Sequence, residues 1–365
     1  MYCQEFTIKS VNKSRYHWIT GAFVFRQTIN RKVDLSRFTD TTRHLTNSGI
    51  PTQGIAFYHQ STLDLLQGLS CSVGLRYDYE HARCDFSKVQ QPLNGNGETK
   101  SLEQFNRSLH FGQFTPRFSM QYLSSHNQLF YASVSKGYKA GGFNVSFLNN
   151  DDYLYSPEYN WNYEIGTKLS FLNNRLSADL SLFYIDWRNQ QITNTIPTVG
   201  NVIRNAGRSR NKGIEASFQA RPTKSWMMYM NYGYTDARFV HYQKEERGIL
   251  KDYEGNYLPM VPRHTFSLTT GYSFYDICSW IDRLTLNAGV SVTGPIYWYE
   301  DNQAKQSPYA LVNLRISINK GCFTWEAWSK NLTNTDYLSY YFVTSKAYAQ
   351  KGKPITLGTS VSISL

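Results

Sequence analysis

The chain closes on "TLGTSVSISL", Thr356 to Leu365, a stretch that alternates to its last residue. Successive side chains of a β-strand point to opposite faces, so Leu357, Thr359, Val361, Ile363 and Leu365 share one face. Gly358, Ser360, Ser362 and Ser364 share the other. One face suits oil and the other, small and polar, suits water. A single strand of this kind serves a soluble sandwich as well as a membrane barrel. Which solvent meets the apolar face has to be read from the rest of the sequence.

The same alternation recurs in "RLTLNAGVSVTG" (283–294), "ALVNLRISIN" (310–319), "HTFSLTTGYSF" (264–274), "GIEASFQARP" (213–222) and "LSCSVGLRYDYE" (69–80). There are about fourteen such segments, each near the ten residues that a tilted strand needs to cross a bilayer. Helical periodicity is nearly absent. No run approaches the roughly 20 apolar residues of a membrane-spanning helix; the densest is "GAFVF" at 21–25.

Connections alternate between short and long. Tight, Asn- and Gly-rich turns are expected near Gln67 and at 124–127, 172–175, 222–225, 276–282 and 319–322. Long connections are expected at 28–51, 82–110, 139–159, 191–207, 240–261, 298–307 and 331–354. Strict alternation sends all the long loops to one side, the layout of an outer-membrane barrel, with both chain ends on the short-turn side. Rings fall in two bands. Phe23, Tyr77, Tyr79, Tyr138, Trp161, Tyr184, Trp187, Tyr232, Tyr234 and Trp298 lie at the long-loop ends; Trp18, Tyr122, Phe130, Phe171, Trp226, Phe274 and Trp325 lie at the short-turn ends. Amphipathic rings collect at both membrane interfaces. Arg76, Asp78, Arg117, Glu164, Lys168, Asp179, Glu215, Arg315 and Glu326 occupy the other face at mid-strand, as a wet lumen requires. The expected fold is all-β, a transmembrane antiparallel barrel of about fourteen strands.

Composition agrees. Aromatic residues make up 16% of a chain whose mean hydropathy is only −0.49, which fits rings placed at a boundary between water and oil. The net charge of +11 is spread along the chain without any nucleic-acid-binding motif, so it suits an anionic membrane surface or an acidic small ligand and no nucleic acid. Five cysteines match no zinc or redox spacing, and the sequence leaves the state of Cys278 and Cys322 open. The eight histidines are scattered, "HARC" (81–84) lacks further ligands, and "GYKAGGF" (137–143) leads into a loop rather than a helix. No enzyme, catalytic residue, metal site or cofactor is expected. The opening "MYCQEFTIKS" carries no basic-then-apolar leader, so no signal peptide is expected within the chain.

Several stretches go beyond pattern: "LFYASVSKGYKAGGFN" (129–144), "YEIGTKLSFLNNRLSADLSLFYIDWRNQQI" (163–192), "RNAGRSRNKGIEASFQARP" (204–222), "YGYTDARF" (232–239) and "KNLTNTDY" (330–337). In this order they resemble the barrel half of TonB-dependent outer-membrane receptors, most of all those taking up ferric siderophores, from about Thr52 onward. The resemblance implies residence in the outer membrane and a 22-stranded barrel. Residues 1–365 would supply the last fourteen strands, without the plug domain, so the TonB complex is reached only through a plug segment outside this chain. It implies contact with lipid and lipopolysaccharide. It also implies recognition of the closing strand, through Leu357, Val361, Ile363 and Leu365, by the outer-membrane assembly machinery, although Leu365 stands where the family usually ends on an aromatic. An iron-siderophore ligand would be caught by the outer loops, where Lys139, Arg204, Arg208, Arg210, Tyr297, Trp298 and Tyr299 offer charge and aromatic surface. Basic rim residues meeting lipopolysaccharide phosphates are the plainer reading of the same arginines. Two other functions fit less of the sequence: a self-contained fourteen-strand passive channel, and a soluble carbohydrate-binding β protein.

Overall fold

The computed structural model describes every residue except 12–13, 37–40, 94–96, 148, 197–198, 206, 247–248, 344–345 and 365. Fifteen antiparallel strands hydrogen-bond to one another in chain order. They are β1 (Tyr2–Lys9), β2 (Tyr16–Leu35), β3 (Thr42–Leu66), β4 (Leu69–Pro92), β5 (Lys100–Leu123), β6 (Leu129–Lys139), β7 (Glu158–Phe171) and β8 (Leu176–Arg188). There follow β9 (Arg208–Ala220), β10 (Trp226–His241), β11 (His264–Cys278), β12 (Ile281–Thr293), β13 (Tyr309–Lys320), β14 (Phe323–Lys330) and β15 (Thr356–Ile363). Helix is limited to one 3₁₀ turn, Asn150–Tyr153, among the described residues.

The expected tight turns are present. Most of their left-handed positions fall to residues that tolerate it, Gly68 (φ 81°), Asn127 (58°), Asn173 (55°), Asn174 (65°) and Gly321 (53°), with Leu172 (53°) the exception. The long connections differ from expectation. The stretches 28–51 and 82–110 are mostly strand, with β2 and β3 paired from Tyr16↔Leu63 as far as Leu35↔His44. Two-residue alternation of hydrophobicity fades there because no oil demands an apolar face, while backbone pairing continues regardless. The remaining long connections fold into small two-stranded ribbons such as 191–196 with 200–205 and 338–343 with 347–351. The strand beyond the fourteen expected is β1, paired with β2 from Tyr2↔Arg26 to Lys9↔Ile19. It places Met1 at the long-connection end of β2 instead of the short-turn end.

Two compact units divide the chain. One comprises Met1–Met120, Val134–Trp161 and Trp187–Ala206; the other comprises Gln121–Ser133, Asn162–Asp186 and Gly207–Leu365. In the first, Ala82, Cys84, Phe86 and Phe143 are buried, with Phe105, Leu109 and Phe147 packed on them. In the second, the buried apolar residues Ala237, Phe239, Tyr242, Tyr253, Leu258 and Trp298 likewise belong to the long-connection end.

Between those ends and the short turns the strands expose their apolar face. On β15, Leu357, Val361 and Ile363 are 71%, 66% and 56% exposed, and Val73, Leu75, Leu286, Leu314 and Ile316 repeat this on other strands. Water does not tolerate an apolar surface this extended, whereas hydrocarbon requires it. Ten of the expected girdle rings, Tyr77, Tyr79, Tyr184, Tyr232, Tyr122, Phe130, Phe171, Trp226, Phe274 and Trp325, are each 36–46% exposed. Phe23 departs from the girdle: it shares the face of Asp78 across β3, and the Arg76 guanidinium lies over its ring at 5.9 Å.

The opposite face is polar and internally paired. Arg76 binds Asp78 through Nε (2.9 Å) and Nη2 (2.7 Å), and Tyr131 donates to Glu164 at 2.6 Å. Cross-strand hydroxyl pairs join Thr62 to Ser72 (2.8 Å) and Ser273 to Thr285 (3.0 Å), while Ser317 donates to Glu326 (2.8 Å).

Adjacent residues of β12 separate the two faces. Leu286→Arg should destabilise the assembled protein by about 2–4 kcal/mol, the cost of a lipid-facing arginine near the midplane. Thr285→Lys should cost only about 1 kcal/mol, one hydroxyl pair. Urea unfolding in lipid vesicles measures both; equal losses would contradict the assignment of faces.

Candidate functional site

The first unit presents a loop body built around buried acids. Glu158, at the start of β7, faces Lys139 at 3.8 Å and accepts the Gln191 backbone N–H. The Gln191 side chain in turn donates to the carbonyls of Ala140 (2.8 Å) and Ser156 (3.2 Å). Asp152 is clamped by Arg204 through Nε (2.7 Å) and Nη2 (2.8 Å). Asn144 accepts the Ile203 N–H and donates to the Ile203 carbonyl, both at 2.8 Å. The glycines of "GYKAGG" make this approach possible: a Cβ on Gly141 would stand 2.4 Å from the Tyr155 carbonyl oxygen. Burial pushes the Tyr155 phenol up, so it stays neutral here. Phe86 and Phe105 stack at 4.8 Å, Tyr153 stacks on Phe105 at 4.8 Å, and the Arg107 guanidinium lies 5.2 Å from the Tyr153 ring centre. Of the sequence candidates in this unit, Arg204 is committed to Asp152, while Lys139 is largely exposed beside Glu158.

In the second unit Arg208 holds Asp186 at 2.5 Å, and Asp236 takes Arg238 (2.9 Å) with Lys212 4.0 Å away. Arg210 is paired across the strands with Arg238, and Lys212 with Asp236. Period-two counting from Ile214 and Tyr232 puts Arg210, Lys212, Asp236 and Arg238 on the girdle face, above the rings.

Tyr257 is the centre of the adjoining loops. The guanidiniums of Arg238 and Arg263 lie 4.0 and 4.9 Å from its ring centre, and it stacks on Tyr297 at 5.5 Å with only 10° between planes. Asn302, at φ 55°, accepts the Tyr257 N–H (2.7 Å) and donates to the carbonyls of Tyr257 (2.9 Å) and Tyr299 (3.1 Å). Trp298 is 6% exposed and packs against Tyr340 and Tyr341, so it belongs to the loop body and not to the girdle. The Tyr299 hydroxyl accepts the Val343 N–H at 2.6 Å, and burial raises its phenol despite that bond. Its proton therefore remains available to donate at neutral pH. Beyond it, Tyr340, Phe342 and Tyr348 form a row with successive ring centres 5.7 and 5.0 Å apart, exposed at Tyr340 and Tyr348 and half-buried at Phe342.

Tyr297, Trp298 and Tyr299 thus sit together, and Arg208 and Arg210 share a neighbouring pair of strands. Sequence reading missed Arg238, Tyr257, Arg263 and Asn302. Arg238 lies inside "YGYTDARF", but nothing in spacing joins it to a tyrosine 19 residues on. Of the closing-strand residues, Leu357, Val361 and Ile363 project along one face, and Leu365 lies outside the described residues. All five cysteines are free thiols. Among the described residues no group of three or more His, Cys, Asp or Glu side chains is placed to hold a metal ion.

Comparison with known proteins accounts for the architecture. Residues 6–334 match the family described as TonB dependent receptor-like, beta-barrel. The pesticin receptor of Yersinia pestis is 24% identical over 354 residues, covering 93% of this chain and 48% of the receptor. The probable TonB-dependent siderophore receptor PiuA of Acinetobacter baumannii is 26% identical over 241 residues, covering 61% of this chain and 30% of that protein. The crystal structure of the ferric yersiniabactin uptake receptor FyuA from Yersinia pestis superposes with a TM-score of 0.84 at 19% identity, over 99% of this chain and 53% of that one. That structural likeness speaks for the fold alone. The chain spans about half the length of the pesticin receptor that it matches. It belongs to the TonB-dependent receptor β-barrel family and is an outer-membrane β-barrel protein.

Asn302→Gly keeps the left-handed backbone and removes three side-chain hydrogen bonds, at about 1–3 kcal/mol. Amide exchange at Tyr257 should quicken by roughly 10- to 100-fold. Unchanged protection would mean that the two loops are held by their rings alone.

Proposed function

We propose that this TonB-dependent receptor barrel provides the scaffold, conduit and outer ligand-catching surface for uptake of a ferric siderophore or similar iron chelate. The observation that carries this reading is the row of rings Tyr340, Phe342 and Tyr348, exposed at both ends, beside the locked Tyr297–Tyr299 segment. A chelate with flat aromatic or amide faces would stack there, and the Tyr299 hydroxyl would meet its anionic oxygens; Lys139, on the loop body of the first unit, would offer such a ligand a positive charge of its own. The names of the relatives, receptors for siderophores and ferrichrome among them, support the same class of ligand.

The chain's part is mechanical and recognitive. Its wet inner face, lined by Arg76, Asp78, Glu164 and Glu326, would let a polar chelate pass where hydrocarbon would not. Energy from the TonB complex would enter through a plug domain, for which these strands and loops supply only the surround. In this reading residues 1–365 are the C-terminal portion of the barrel. Arg208, and Arg210 on the girdle face, would meet lipopolysaccharide phosphates, and Leu357, Val361 and Ile363 would present the closing strand to the assembly machinery, with Leu365 completing the row.

Ferric yersiniabactin and ferrichrome are suitable first probes. Either should quench the tryptophan fluorescence of the protein in detergent, and Tyr340→Ala with Tyr348→Ala should weaken that binding by about tenfold, the worth of a stacked ring. No quenching by either probe, or equal affinity in the double variant, would remove the support for this surface.

A further inference from the structure

We propose that His81 and His110 form an open two-imidazole site for a divalent transition ion of the Ni²⁺, Cu²⁺ and Zn²⁺ class on the outward wall of the first unit. The two rings stack at 4.5 Å with 15° between planes. An imidazole binds a metal through a lone pair in its ring plane, so the two rings must turn about χ2, which is soft for histidine, until their planes converge and one nitrogen of each reaches a common ion at about 2.0–2.1 Å. Water would complete the coordination.

Second-sphere geometry suits such a role. The Tyr79 hydroxyl lies 3.0 Å from His110 Nδ1, and when that nitrogen donates its hydrogen to the phenol oxygen, Nε2 is left as the bare ligand. His81 carries no hydrogen bond to a described residue, so both of its nitrogens are uncommitted. Odd-numbered residues of β4 face outward, from Val73, Leu75 and Tyr77 through Tyr79 to His81, which sets the pair just above the tyrosine girdle and open to solvent. The next outward residue is cationic, but Arg83 is held by Asp85 at 2.8 Å, which offsets its repulsion of a metal ion. Imidazole ligands select borderline transition ions over Mg²⁺ and Ca²⁺.

The second unit holds an internal control. His264 Nδ1 sits 3.0 Å from the Tyr232 hydroxyl, the same kind of Tyr–His contact, but no second histidine ring stacks on it among the described residues. One imidazole binds weakly; a second held in place raises affinity by about 100-fold through effective concentration.

Ni²⁺ titration calorimetry on untagged protein in detergent, with its thiols alkylated, tests the proposal. The parent protein should bind one ion, His81→Ala and His110→Ala should each weaken it about 100-fold, Tyr79→Phe should weaken it about tenfold, and His264→Ala should change nothing. Heat-modified gel mobility reports that each variant is folded, and the nitrogen hyperfine pattern of bound Cu²⁺ should show two imidazoles in the parent and one in either single variant. Parent-like Ni²⁺ affinity in both His81→Ala and His110→Ala, or loss of the site only in His264→Ala, overturns the assignment.

Discussion

Inside hydrocarbon a peptide group has no water to bond, so every N–H and C=O of a crossing segment must pair with protein. For strands that means a neighbour on each side, and pairing each strand with the next in sequence gives β2 to β14 both neighbours with the shortest connections, while β1 and β15 have one each. The side chains then divide by solvent. The outward set is aliphatic with aromatic ends; the inward set is hydroxyls, amides and charges, many of them paired across the sheet or along a strand. That division explains why the crossing part of the strands has no core of its own. Lipid takes the place of a core, and apolar side chains that would be a liability in water are stabilised where they stand.

Outside the bilayer the constraint changes, and the same strands respond. β2 to β5 continue well past the girdle with their backbone pairing intact, but their side chains no longer alternate by polarity. Here the protein needs conventional cores, and it builds small ones from loop rings. It fixes those cores with buried polar clamps: Asp152 with Arg204, Asn144 with the Ile203 backbone, Asn302 with Tyr257 and Tyr299. Buried polar groups of this kind are costly unless fully partnered, so each loop has few arrangements that satisfy all of them. A surface that must catch a ligand gains order from this without a large apolar interior.

Fold and topology were legible because the bilayer writes them in a period of two: Leu357, Val361 and Ile363 mark an apolar face on one strand, its repetition along the chain points that face outward, and Asn and Gly mark the tight turns. Membrane residence was legible from where the rings fall. Other features left no such trace. β1 and the extensions of β2 to β5 were missed because pairing without an oily face leaves no alternation to read. Trp298 looked like a girdle ring and is instead a loop anchor, since its height in the structure depends on how residues 294–308 fold back. Arg238 and Tyr257 meet across 19 residues of loop, and the His81–His110 stack joins two different strands; composition and spacing hold no record of either contact.

The most direct test of the account is a nitroxide scan of β12 in lipid vesicles, reading collision with oxygen, which dissolves in hydrocarbon, against a water-soluble nickel chelate. Labels at 284, 286, 288 and 290 should favour oxygen and those at 285, 287 and 289 the nickel chelate, alternating residue by residue. A scan without that alternation, or with oxygen favoured on both faces, would contradict a strand that divides lipid from a wet lumen.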